Sequence, residues 1–237
     1  MLELRQYTLR PRQRDVLVAL FEREFIESQE EHGARLVGQF RDTQRPERFV
    51  WLRGFQDMVS REAMLKSFYG GPVWKAHREV ANATMLDSSD VLLLKPLTGR
   101  RGFPAPGRAR PPVEAREQPG SLIVVTILHR DAPVDEAFLG YFERELVPEL
   151  TRTGGAPLAV FQSEPATNTF PALPVREGEQ VLVYFTRFES QEAYRAHEAR
   201  REGSRSWKET VRPALRAYLK AEPQTLVLEP TARSLLR

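Results

Sequence analysis

Between Leu2 and Leu9 apolar and polar residues alternate, with Leu2 and Leu4 set among Glu3, Arg5 and Tyr7. A period of two is that of a strand with one covered face. Pro11 punctuates the run. From Arg12 to Glu31 the period lengthens, with Leu17, Leu20, Phe21 and Phe25 at helical spacing among glutamates and arginines. His32-Gly33 ends that helix, since glycine commonly follows a helical C-terminus. Residues 35–43 and 47–55 read as two further strands, and the short Gln44-Arg45-Pro46 separation predicts an antiparallel hairpin. Ser60 is placed to cap a helix through Phe68. Gly70-Gly71-Pro72 breaks it, and Pro72 suits the first turn of the next helix, which carries Trp74, His77 and Ala81. A last strand covers 91–94 and ends at Pro96. The order β-α-β-β-α-β is the split βαβ plan.

Residues 98–120 break the pattern. Pro104, Pro106, Pro111, Pro112 and Pro119 stand among glycines and arginines with almost no apolar periodicity, which reads as an extended linker. The element order then repeats. Strands are predicted at 122–128, 157–162, 180–188 and 225–228. Asp131 and Pro133 open a helix striped with Phe138, Tyr141, Phe142, Leu146 and Leu150, Ser190 caps another, and a further one follows Ser204. Residues repeat as well: Val50-Trp51-Leu52-Arg53-Gly54-Phe55 lies over Val183-Tyr184-Phe185-Thr186-Arg187-Phe188 at an offset of 133, and Trp74-Lys75 lies over Trp207-Lys208 at the same offset. Ser60-Arg61-Glu62-Ala63 instead matches Ser190-Gln191-Glu192-Ala193 at 130, so the loops between have compensating lengths. The chain reads as a tandem duplication: one unit over 1–97, a linker over 98–120, and a diverged second unit over 121–230.

The fold class that follows is α+β, with two ferredoxin-like units. A four-stranded antiparallel sheet with helices on one face must hide its other apolar face. Two such sheets can cover each other, and a tandem chain supplies the second sheet itself, as a pseudo-dimer within one chain. Each unit could equally pair with another chain, which leaves a homodimer open. The nearly continuous apolar run from Leu122 to Leu128 predicts burial on both faces.

Composition narrows the function classes. Thirty arginines stand against five lysines, but acids interleave with them, as at Arg23-Glu24 and Arg144-Glu145, and the net charge is only +3. Nucleic-acid binding wants clustered positive charge, so no nucleic acid is expected. The absence of cysteine excludes disulfides, thiolate metal sites and thiol catalysis. No apolar run approaches the roughly 20 residues of a membrane span, and the N-terminus enters a strand-like run with no basic-then-apolar leader. The expected location is cytoplasmic, with no membrane partner.

Glu3-Leu4-Arg5-Gln6-Tyr7 before Pro11, Leu36-Val37-Gly38-Gln39-Phe40, the Trp51 strand, and Asp57 with Arg61 followed by Gly71-Pro72-Val73-Trp74 form a group whose spacing resembles the NIPSNAP family. The resemblance covers residues 2–97 and implies membership of the dimeric α+β-barrel superfamily. The family has no common reaction, so the resemblance implies a fold more than a function. The second half departs from the pattern, having no Arg-x-Tyr in its first strand, so a site built on Arg5 and Tyr7 is expected once per chain.

The candidates for a ligand site are Arg5, Tyr7, Trp51, Arg61, Trp74 and His77. Arg5 and Tyr7 share a strand face with Glu3. That face lines a pocket, with Arg5 binding an anion and Tyr7 donating a hydrogen bond, or it holds an Arg–Glu pair and an amphipathic tyrosine. Trp74, His77 and Arg78 share a helix face. A histidine there serves as a general base or an axial haem ligand, roles that superfamily relatives make worth stating, or it is structural. The three tryptophans read as core. No histidine has a second ligand at metal-binding spacing, and there is no phosphate-binding glycine loop and no Gly-x-Ser-x-Gly elbow. No cofactor is assigned. Three functions compete: a protein that binds a small molecule between its sheets, a cofactor-independent monooxygenase-like or haem-binding enzyme, and a protein-interaction module.

Overall fold

The computed structural model describes residues 1–97, 102–104, 107 and 109–237. The linker expectation for 98–101, 105, 106 and 108 lies outside the described residues. Strand β1 is Leu2–Leu9; helix α1 (Arg14–Leu20) continues through a π turn at Phe21–Phe25 into α2 (Ile26–Glu30). Gly33 follows at φ +97°, the left-handed conformation that stops a helix with little steric cost only at glycine. Strands β2 (Arg35–Asp42) and β3 (Arg48–Gly54) form the expected hairpin. Helices α3 (Met58–Gly70) and α4 (Pro72–Thr84) follow, then a three-residue strand β4 (Met85–Asp87) and β5 (Val91–Pro96). The cap of α3 is Asp57 rather than Ser60. Ser60 is the third helical residue of a capping box, donating its N–H to Asp57 Oδ1 at 2.7 Å while its Oγ accepts from the Asp57 N–H.

The second unit comprises β6 (Leu122–Arg130), α5 (Glu136–Tyr141), a π turn at Phe142–Leu146, α6 (Val147–Thr153), β7 (Pro157–Ser163), β8 (Gln180–Phe188), α7 (Gln191–Gly203), a π turn at Trp207–Val211, α8 (Arg212–Tyr218) and β9 (Gln224–Pro230). Asp135, not Asp131, caps α5. The two first helices share an unforeseen repeat: Phe21-Glu22-Arg23-Glu24 and Phe142-Glu143-Arg144-Glu145 occupy π turns at the same place in their units.

Within each unit the first strand lies centrally, β1 between β3 and β5 and β6 between β8 and β9. The two sheets then join at both edges, β2 with β9 and β5 with β7, all antiparallel. Because β1 also pairs with β3, the ring of eight strands closes, and β4 extends β1 outside it. The sheets therefore fuse into one barrel rather than merely facing each other, which removes the edge strands each would expose alone.

An eight-stranded barrel is just wide enough for side chains to fill. Leu2 and Leu4 of β1, Val50 and Leu52 of β3, Val125 and Ile127 of β6 and Phe185 of β8 point inward and join one buried cluster. Phe103 and Leu236, from the segment between the units and from the C-terminal end, pack against that cluster. Described side chains thus fill much of the space between the sheets, and clefts of about 240 and 390 Å³ open beside Val37 and Phe103 of that cluster. The opposite faces of the same strands meet the helices in two further cores, one per unit.

The segment between the units is tied down where it is described. Arg110 donates to Glu30 Oε1 at 2.7 Å, to the Leu36 carbonyl and to the Arg233 carbonyl, and Arg233 pairs with Glu27.

Candidate functional site

Strand alternation that sends Leu2 and Leu4 into the barrel sends Glu3, Arg5 and Tyr7 outward, beneath the helices. The face they share therefore looks at the helices, and it holds an Arg5–Glu3 pair at 3.1 Å. Register sets Arg5 opposite Trp51 and Glu3 opposite Arg53, so four such side chains share one face of two paired strands. Arg61, four residues past the Asp57 cap and so at the end of the first turn of α3, comes down onto them.

Glu3, Arg5, Arg53 and Arg61 have no exposed surface. The Glu3 carboxylate accepts from all three guanidiniums: Arg53 Nε at 2.9 Å and Nη2 at 2.6 Å on Oε2, Arg5 Nη1 at 3.1 Å on the same oxygen, and Arg61 Nε at 2.7 Å on Oε1. Arg53 also donates to Gln29 Oε1 at 2.6 Å, and Arg5 Nε donates to Tyr7 Oη at 3.0 Å. Burial on its own would raise the Glu3 pKa; Arg53, Arg5 and Arg61 overcome this and bring it down to about 2. Burial raises the Tyr7 pKa despite the neighbouring Arg5, so its hydroxyl stays protonated.

One carboxylate among three guanidiniums leaves a buried surplus of two positive charges. Charge out of water is costly unless paired. Aromatic faces give part of the compensation: Arg5 lies 5.3 Å from the Trp51 ring centroid and 5.4 Å from that of Tyr7, and Arg53 lies 4.9 Å from Trp51. Hydrogen bonding is incomplete. Among the described residues, Arg5 Nη2, Arg61 Nη2 and Trp51 Nε1 are buried donors with no acceptor. Buried donors are nearly always partnered, so three in one cluster call for an explanation.

The second unit contributes one acceptor. The β7–β8 connection, residues 164–179, is anchored on β5 through the Glu164 N–H to the Leu93 carbonyl and the Arg176 N–H to the Val91 carbonyl. Its tip reaches across the first unit, where Asn168 Oδ1 accepts from Arg61 Nη1 at 3.0 Å and Phe170 stacks on Tyr69.

Arg5, Tyr7, Trp51 and Arg61 are therefore brought together. Trp74 belongs to the adjoining aromatic core, against Phe25, Phe68 and Tyr69. His77 is not part of the cluster: its Nε2 lies 3.5 Å from Glu24 on the partly exposed outer flank of α4, and Arg78 is exposed. A base or axial ligand aimed into a cavity is not what that placement provides. Glu3 pairs with Arg5 as the shared strand face allowed, whereas Arg53, Gln29 and Asn168 join the cluster without standing among the sequence candidates. Arg53 was readable, two residues from Trp51 on the same strand; Asn168 sits in an irregular loop with no periodic signal. Among the described residues no three His, Asp or Glu side chains group as a metal site, and no helix is long and apolar enough to cross a membrane. The open clefts lie elsewhere, one of about 420 Å³ being bordered by Pro111, Glu117, Arg187 and Arg237.

Residues 2–98 match the NIPSNAP family profile. No curated protein matches the chain significantly. Among solved structures, the fold is similar to a protein from Fusobacterium nucleatum described provisionally as a monooxygenase, with TM-score 0.57 and 10% identity over 97% of this chain and 91% of that one. An anthrone oxidase-like protein gives TM-score 0.56 and 15% identity over 97% and 90%. A provisional monooxygenase from Lactobacillus acidophilus gives 0.53 and 13% over 97% and 92%. At these identities the likeness is one of fold, and the fold is the dimeric α+β barrel with both units in one chain.

Proposed function

We propose that the NIPSNAP-like first unit binds a small organic anion between its sheet and its helices, at the free edges of Arg5 and Arg61. The observation that carries this reading is the buried surplus of two positive charges together with two unpartnered guanidinium nitrogens. An anion supplies both missing quantities, charge and acceptor lone pairs, and arginine forks suit carboxylate geometry. The ligand space is thus moved from between the sheets to the sheet–helix layer. Binding rather than catalysis is favoured because the titratable groups at hand are poorly poised: Glu3 is held ionised as a very weak base, and Tyr7 is held protonated.

The test is native mass spectrometry and calorimetric anion titration of the full chain beside Arg61→Met. Methionine keeps much of the volume and removes one unit of the surplus charge, and Glu3 is not left without a counter-charge because Arg5 and Arg53 still donate to it. The variant is expected to keep its melting temperature and lose the bound anion. A variant that unfolds several kcal/mol more easily, while anion binding is absent from the wild type, would show that Arg61 serves the fold alone.

A further inference from the structure

The tip of the 164–179 connection has the chemistry of a ligand. Asn168 places a carbonyl oxygen on Arg61 Nη1, and two residues later Phe170 places a phenyl ring on Tyr69, with centroids 5.9 Å apart and planes 22° from parallel. Leu173 joins the same core of the first unit. A loop of this length without regular structure is uncommon inside a compact fold and is more often functional. This one crosses from the second unit to cover the first unit's charged cluster. Its counterpart in the first unit, residues 43–47 between β2 and β3, is far too short to reach the second unit in return.

Asn168 is a poor acceptor for the place it occupies. Arg61 spends Nε on Glu3, so its outer edge consists of Nη1 and Nη2. The amide oxygen engages Nη1 alone, and Nη2 stays without a partner. It also brings no charge, so the surplus around Glu3 is untouched. A carboxylate on that edge would satisfy both nitrogens at once and remove one surplus charge. Asn168 is held in place by its own neighbours rather than by Arg61: its N–H donates to Glu177 Oε1 at 2.6 Å, its Nδ2 donates to the Leu173 carbonyl at 3.1 Å, and its Oδ1 also accepts from the Phe170 N–H at 3.1 Å. These contacts lie within the loop tip and would travel with it if it swung away.

We infer that the ligand is an arylcarboxylate, and that the second unit's loop is a gate whose Asn168 and Phe170 occupy the carboxylate and ring positions until it displaces them. This rests on the anion-binding reading above and specifies its ligand class and its control. A carboxylate without a ring meets Arg61 but forgoes the Tyr69 surface, and a ring without a charge forgoes the arginines.

The experiment titrates phenylacetate, acetate and toluene separately into the full chain and into Asn168→Ala and Asn168→Asp, with thermal unfolding of each protein alone. Phenylacetate is expected to bind the wild type more tightly than acetate, and Asn168→Ala about tenfold more tightly than the wild type, the scale of one charge-assisted hydrogen bond no longer in competition. Asn168→Asp carries its own carboxylate. It should bind phenylacetate at least tenfold more weakly and, without any ligand, melt about 3–6 °C higher, even though it gives up the Nδ2 bond to Leu173. Phenylacetate binding that depends on Arg61 yet is equal in all three proteins would overturn the gate and leave the anion site standing. No rise in the melting temperature of Asn168→Asp would also overturn the gate, whatever binds. Absence of phenylacetate binding in every protein would overturn the arylcarboxylate gate, and absence of acetate binding as well, including in Asn168→Ala, would overturn the anion site with it.

Discussion

The centre of the layer between barrel and helices is ionic in the first unit, with three arginines on Glu3, whereas in the second the same register positions are neutral. There the charges, Arg130 and the Arg201–Glu198 pair, come from other positions. Register makes the comparison residue by residue. Trp51 and Arg53 correspond to Tyr184 and Thr186; their partners Arg5 and Glu3 correspond to Thr126 and Val124; Tyr7 corresponds to Leu128. Arg61, four residues past the cap of α3, corresponds to Tyr194, four past the cap of α7. Every charge of the first layer has a neutral counterpart in the second. In the second layer Thr126, Tyr184 and Tyr194 border only a small cavity of about 30 Å³ beside His197 and Glu198, close to the size needed for one water. His197 is buried, and desolvation lowers its pKa, so it sits as a neutral ring against the Thr153 carbonyl. Arg201 in the second layer has a carboxylate of its own, Glu198 at 2.9 Å, whereas the three arginines of the first share Glu3, and the second unit's loop supplies one further acceptor through Asn168.

The sharpest way to break this contrast is Glu3→Gln. The amide leaves three buried guanidiniums without a counter-charge, and breaking a buried pair from one side costs roughly 3–5 kcal/mol. Denaturant unfolding should show a loss of that size, whereas loss of under 1 kcal/mol would mean that the charges are compensated by something other than Glu3. The same residue predicts an acid limb. Its folded pKa of about 2 lies below the ordinary 4.5, so its contribution is complete above pH 4.5 and disappears as the pH falls towards 2. Other carboxylates are depressed too, Glu27 and Glu179 among them, so the wild type alone does not isolate Glu3. The stability difference between wild type and Glu3→Gln does: it should be constant near neutrality and shrink through that window, because a protonated Glu3 is as neutral as glutamine. A difference that stays flat down to pH 2.5 would contradict the Glu3 assignment.

How much of this was legible in the sequence follows from the range of the interactions. The alternation of Leu2 and Leu4 with Glu3, Arg5 and Tyr7 marked the strand and grouped the three polar residues on one face. It did not say which face was the barrel interior, because an eight-stranded barrel and a helix layer both bury what they cover, and a charged face suggests openness when it is in fact sealed. The offset of 133 exposed the repeat, since local packing preserves it. Closure through β2–β9 and β5–β7 depends on pairs far apart in the chain, for which no local residue pattern exists. Arg53 could have been found from its spacing to Trp51. Asn168 could not, because its partner Arg61 lies 107 residues away and its loop has no period. His77 misled because sharing a helix face with Trp74 says nothing about which part of that face is covered.

The smallest expected effect sharpens the contrast from the neutral side. Thr126 stands where Arg5 stands in the first unit, opposite Tyr184 in the strand register and at the edge of the same small cavity. Thr126→Val keeps the branched shape that a strand favours and removes one neutral hydroxyl beside a cavity large enough for a water. The cost should be about 0.5–1.5 kcal/mol by denaturant unfolding. Anion titrations should be unchanged, since Thr126 belongs to the second unit and makes no contact with the arginines around Glu3. A loss comparable to that of Glu3→Gln would mean that Thr126 holds the Arg201–Glu198 pair and His197 beside this cavity in place, and the two layers would then be equally dependent on one central residue.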